Sequence, residues 1–473
     1  MSTETDRASA TPVPAAAIAG GDTTMNYMAR FGCIGPACEE NCCQDGWRID
    51  VNKDGYERLL AATQFAPREI SKRVQMAIRV VPRKSKTERE RYIIKQDKSG
   101  ACLLFDDGWC AIHANFGLDM LPHVCAIYPR KLKRVGPRHE LSATASCPEI
   151  ARQLILHADG VDVVPLDLAT LNRTVLQDGM DTRDVRPFFR SLVMVRDFMM
   201  DLFRDQSLTL DQRYFLMAWF AKRTNDVLQK ALPTGDLAPV ERELALLARP
   251  EVRREITKRF ELLDTPAAVV LIVVRAVVRP KVKGLVRKRW NELTQTTIDS
   301  YSRLKEILPS SDADVAVHDE ADALAPTERQ LMTLREVWDT YRTRRDRLRA
   351  HPVAQARLDQ YFQNYVIHTW YHRMPTEEED ILHYALRMLA QHATMKFLLI
   401  GHPRLQTVMD EVDRMPKDEG DRHLGTELDK VAVDVFYQLA RHIEHGLLIK
   451  WLNKMLKTQN LFSMAGAVYL IRF

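Results

Sequence analysis

Pro187-Phe-Phe-Arg-Ser-Leu-Val-Met-Val-Arg-Asp-Phe-Met-Met-Asp-Leu-Phe-Arg204 opens with proline and returns to an apolar residue every three or four positions. Proline costs nothing at a first helical position, because first-turn N–H groups have no intrahelical acceptor. The repeat gathers apolar side chains on one helix face, which must be buried against other elements. The same pattern continues toward the C-terminus. Threonine and glutamine or glutamate stand three apart at Thr209/Gln212, Thr327/Gln330 and Thr376/Glu379, the last pair following Pro375. That spacing lets each side chain satisfy the other's orphan backbone N–H at a helix start. Glu427–Asn453 is a further long amphipathic run. Residues 151–473 therefore read as a large all-α domain of about ten helices.

Composition agrees. The chain has 473 residues, 46% hydrophobic and 28% charged, as in ordinary globular proteins. Only 19 are glycine, which disfavours glycine-rich β architectures and phosphate-cradling loops. Pro266–Val278 is apolar but only 13 residues long and contains Arg275, and Met464–Phe473 is shorter still. A membrane span needs about 20 apolar residues, so both read as buried helices and no membrane association is expected. The acidic stretch Ser310–Pro326 lacks an apolar stripe and reads as a surface loop. A net charge of +5 is too mild to imply nucleic acid. Basic runs at Arg79–Lys95 and Val274–Arg289 have little aromatic interleaving, so they read as solvated faces and nucleic acid is not an expected partner.

Working toward the N-terminus, the character changes. All eight cysteines lie between Cys33 and Cys147. They stand in Cys33-Ile-Gly-Pro-Ala-Cys38-Glu-Glu-Asn-Cys42-Cys43-Gln-Asp-Gly-Trp47, in Ala-Cys102 … Trp-Cys110, in Leu-Pro-His-Val-Cys125-Ala-Ile-Tyr-Pro-Arg130, and in Cys147-Pro148. Residues 1–24 lack a basic n-region and a long apolar h-region; they read as a disordered lead without a secretory signal, and a cytoplasmic location follows. In a reducing compartment, confined cysteines suggest metal ligands before disulfides. Residues 25–150 thus form a small irregular cysteine-rich metal-binding unit, with one helical stretch near Asp54–Val80 and a short strand at Arg91–Lys95. Cys33, Cys38, Cys42, Cys43, Cys102, Cys110, Cys125 and Cys147 are the candidate ligands. Thiolate-rich sites suit zinc and iron–sulfur clusters alike. Paired C-x₂-C knuckles, the usual structural zinc pattern, are absent; the spacing and the final Cys-Pro lean toward iron–sulfur.

These strings, together with ACLLFDDGWCAIHANFG and SATASCPEIAR, resemble the flagellin lysine-N-methylase (FliB) family within a wider group of zinc- or iron-chelating CxxCxxCC proteins. The resemblance covers about residues 25–155, and Trp47, Tyr128, Pro129 and Arg130 fall on family positions with the cysteines. It implies methylation of flagellin lysine ε-amines from S-adenosylmethionine and a [4Fe–4S] cluster. No G-x-G-x-G turn announces a doubly wound methyl-donor site. Nor is there a CxxxCxxC triad, since Cys43 directly follows Cys42. The donor site is therefore expected beside the cluster, with Tyr128 and Arg130 as candidate cofactor-binding residues. Arg130 can orient an anionic group, or it can simply pair with a carboxylate while Tyr128 packs.

His113 and His123 near Cys110 and Cys125 read as hydrogen-bond donors behind the ligands more readily than as ligands. His442 and His445, flanking Glu444, lack zinc-protease spacing. The leading expectation is a protein-lysine methyltransferase with flagellin as substrate. The rival is a non-catalytic zinc- or iron-binding, or redox-sensing, protein.

Overall fold

The computed structural model describes residues 21–44, 46, 48–82, 91–171, 176–180, 187–231, 233–260, 265–278, 288–307, 327–373, 380–445 and 448–473. Trp47, the Thr376/Glu379 pair, residues 310–326 and about half of each basic run lie outside them. Mainly α is the observed class, with thirteen α-helices after residue 186 among the described residues.

The helix Ile381–Gly401 is the axis of the bundle. Every residue from Tyr384 to Gly401 is buried, Arg387, Gln391, His392 and Lys396 included. Around it pack Leu210–Ala231, Ala267–Val278, Glu328–Ala350, Lys417–His445 and Met464–Ile471. Pro187–Arg204 is helical over the residues quoted above. Thr327 and Gln330 exchange their capping hydrogen bonds at 3.3 and 2.9 Å, and Thr209 and Gln212 do the same at 3.2 and 2.9 Å. Ala267–Val278 is a buried core helix. No helix among the described residues is long and apolar enough to cross a membrane.

Boundaries differ in two places. The Glu427–Asn453 run is divided between Lys417–His445 and Leu448–Thr458. Asp54–Val80 is two helices, Lys53–Thr63 and Arg68–Ala77. Pro67 separates them, because it disfavours helical backbone at Ala66 and cannot donate to the preceding turn.

Sheet structure exceeds the single strand expected. The strands are β1 (Thr23–Met25), β2 (Ile49–Val51), β3 (Ile78–Val81), β4 (Arg91–Ile94), β5 (Phe105–Asp106), β6 (Trp109–Cys110), β7 (Arg130–Val135), β8 (Arg138–Ala143), β9 (Val163–Pro165) and β10 (Leu176–Met180). They form a five-stranded sheet in the order β10-β7-β8-β1-β9, a three-stranded sheet β2-β4-β3, and the hairpin β5-β6. Charged residues hide β7 and β8 from a hydropathy reading. Buried Glu140 on β8 meets Arg196 at 2.7 Å and Lys133 of β7 at 3.5 Å.

Packing divides the chain into two cores. The smaller gathers apolar residues from Ile49 to Ala126. The larger joins Met25, Tyr27, Leu132, Leu141 and Ala143 of the five-stranded sheet region to the helices. The helix Pro352–His372 lies against β8, so that sheet is covered by the helical bundle.

Candidate metal centre

Short-range geometry brings separate cysteine loops together. Cys38 closes a 3₁₀ turn, its N–H donating to Gly35 O at 3.1 Å. Asn41 Oδ1 accepts from Cys43 N–H at 2.9 Å, and Cys43 O accepts from Cys102 N–H at 2.8 Å. Cys110 ends the hairpin β5-β6, whose two central residues, Asp107 and Gly108, both have positive φ (42° and 82°). That is the turn an Asp-Gly pair favours. The turn packs onto the first cysteine loop. A Cβ on Gly108 would stand 2.6 Å from Pro36 Cβ, and one on Gly35 would stand 3.1 Å from the Trp109 indole. These close approaches require glycine.

Electrostatics report the convergence of the sulfurs. All eight are free thiols; Cys102 is buried, Cys33 and Cys42 are exposed, and the rest are half-buried. Hydrogen bonds to Cys110 and Cys42, then burial, push the Cys43 thiol far up, and the bond from Cys43 holds Cys110 below its ordinary value. Thiolate character therefore sits on Cys110 in this pair. Burial raises Cys125, which lies in the field of Cys110, Cys42 and Cys102. Burial likewise pushes Cys147 up to about 12, and Cys38 and Cys42 lie near it. Burial is also the main cause that raises Cys38 and Cys102. Among the described residues, no three Cys, His, Asp or Glu side chains stand close enough to hold a metal ion as they are. The donor chemistry nevertheless fits a thiophilic metal: several soft donors face one another, and binding would replace the protons they share.

Tyr128 is half-buried, its hydroxyl 3.3 Å from Ser146 Oγ. Burial is the first cause that pushes its phenol well up, with Cys147 nearby. Arg130 is half-buried, 5.1 Å over the Phe31 ring. Burial lowers it, opposed by Cys33 and Cys147. No acidic side chain pairs with it among the described residues. His113 is exposed and His123 half-buried. His442 packs on Trp290 at 4.1 Å between ring centroids.

Residues that the sequence did not single out fasten the first cysteine loop to the bundle. Arg441 donates from Nε to Ser146 O at 2.7 Å and from Nη2 to Glu40 O at 3.1 Å. Its Nη1 pairs with Glu40 Oε1 at 2.8 Å. Gln438 donates to Glu40 Oε2 at 2.6 Å. Arg289 donates to Glu39 O at 3.1 Å, and Arg152 pairs with the Glu39 carboxylate. Only the ionic residues Glu39-Glu40 inside the cysteine string hinted at these contacts.

No solved structure matches the chain. It is similar to the Lysine-N-methylase of Salmonella typhimurium, 24% identical over 172 residues, which are 36% of this chain and 40% of that protein. The chain thus spans about two fifths of that relative's length. Residues 196–470, the segment that includes Gln438 and Arg441, match the model of the FliB lysine N-methylase C-terminal domain. With more than half of its residues matched, the chain belongs to the FliB lysine N-methylase family.

Proposed function

We propose that this chain is a protein-lysine N-methyltransferase acting on flagellin, with S-adenosylmethionine as methyl donor and an iron–sulfur centre on its cysteine loops. One observation carries the reading: the family segment 196–470 supplies the side chains that hold the loop bearing Cys38 and Cys42. The relative's name supports lysine methylation, and the mutual fields of the thiols support a metal held by cysteines drawn from Cys33, Cys38, Cys42, Cys43, Cys102, Cys110, Cys125 and Cys147. When bound, such a centre supplies Lewis-acid and redox chemistry.

The chain's own residues have more modest work. Arg130, without an acidic partner among the described residues, is suited to hold the donor's carboxylate near Cys147, and Tyr128 stands near the same cysteine. The substrate amine must lose its proton to attack a methyl group, which a desolvated setting favours. Lysine suits this because its pKa falls readily on burial, whereas arginine stays charged.

Flagellin incubated with the cluster-reconstituted protein and S-adenosylmethionine should gain one methylene's mass per event on surface lysines. A cluster-free Cys→Ser variant should give none. Arg130→Gln should raise KM for the donor more than it lowers kcat. Absence of any mass gain on flagellin lysines, with metal bound, would leave the chain a metal-binding protein.

A further inference from the structure

Arg441 joins the family segment to two of the cysteine loops. Its side chain is 1% exposed, and a guanidinium buried that far is costly unless its donors and charge are met. It meets them in two directions. One contact, to Ser146 O, fixes the residue before Cys147. The other two, to the Glu40 backbone and carboxylate, fix the segment between Cys38 and Cys42. Its plane also lies 5.1 Å over the Tyr437 ring, which restrains it from the helix side. Gln438, one turn earlier on the same helix, takes the second oxygen of Glu40. Loops about a hundred residues apart in sequence are therefore spaced by a single planar fork, a geometry that lysine cannot reproduce.

We propose that Arg441 is a positioning residue for the thiolate metal centre, setting the separation of the Cys38–Cys42 loop from Cys147. This rests on the metal-centre reading above. It makes the centre a joint product of the cysteine loops and the Lys417–His445 helix.

Cobalt(II) added anaerobically to the full chain tests it, because sulfur-to-cobalt charge-transfer absorption reports how many thiolates reach the ion. Arg441→Gln should weaken cobalt binding about tenfold or more and reduce the charge-transfer intensity per bound ion. Arg441→Lys, which keeps the charge but not the fork, should recover part of the affinity without the intensity. A role confined to stability would lower the melting temperature while leaving the spectrum per bound ion unchanged. If Arg441→Gln does not fold, Glu40→Ala, on the loop side of the contact, should lower the intensity in the same direction. Wild-type affinity and spectrum in a folded Arg441→Gln chain, or in Glu40→Ala when the first fails, overturn the inference. A wild-type chain with no charge-transfer band removes the metal-centre reading itself, and the inference with it.

Discussion

The hydrogen bond between Cys43 and Cys110 raises the first thiol and lowers the second, so metal binding, which displaces that proton, should register at this pair. Replacing Cys38, Cys42, Cys43 or Cys125 with serine should lower metal content and melting temperature together, because a lost ligand removes one of the ties that hold its loop. Unchanged metal in all four variants would count against cysteine ligation. Buried histidines set a different sensitivity. Burial holds His368 and His392 down to about 3, while in an unfolded chain they titrate near about 6.5. Between those values the unfolded state binds more protons, so stability falls as pH drops through the unfolded value. Each residue should cost about 2 kcal/mol between about pH 7 and pH 5. His392 accepts or donates a 2.7 Å hydrogen bond with Tyr214, and His392→Gln keeps a polar partner there without the titration. Urea midpoints at the two pH values should fall less in the variant than in the wild type. Equal falls would mean that His392 protonates in the folded chain.

Among elements, the β5-β6 hairpin is the most exposed to small changes. Its turn sits against Pro36, so its backbone conformation and the path of the first cysteine loop are linked. Gly108→Ala forces a side chain into left-handed backbone and into Pro36 at once, for a loss of about 2 kcal/mol or more. Thermal unfolding should show that loss, and metal content should fall with it because the loop bearing Cys33 and Cys38 is displaced. An alanine variant with native melting and full metal would show that hairpin and loop move independently. The sheet strands β7 and β8 behave differently. Their buried Lys133 and Glu140 and Arg196 of the Pro187–Arg204 helix satisfy one another, and removing one partner strands the others' charge at a cost of about 3–5 kcal/mol. Arg196→Met should therefore destabilise strongly while leaving the thiols' metal content per folded molecule intact.

At the scale of the molecule, two cores of unequal size share one chain. The smaller core, from Ile49 to Ala126, holds few buried residues beside the bundle, and small cores gain most from a metal. Amide hydrogen exchange should be faster across residues 49–126 than in the Ile381–Gly401 helix. Reconstitution with metal should slow exchange around residues 33–126 and leave that helix unchanged. Uniform protection across both regions, insensitive to metal, would show a single cooperative unit instead.

Helix class was legible in the sequence because it is written locally: Pro187–Arg204 carries its own start signal and its own apolar period, and Thr327 with Gln330 carries its own cap. The confinement of all eight cysteines was legible too, and with it the place to look for a metal. What stayed hidden was everything that depends on a distant partner. Lys133 and Glu140 read as surface charge until each is seen to neutralise the other inside a sheet. Arg441 reads as one more polar position on an amphipathic helix until folding brings Glu40 and Ser146 to it across some three hundred residues and more. Periodicity records which face of an element avoids water, so it fixes elements; it holds no record of which buried charge meets which, because that pairing exists only once the chain has closed on itself.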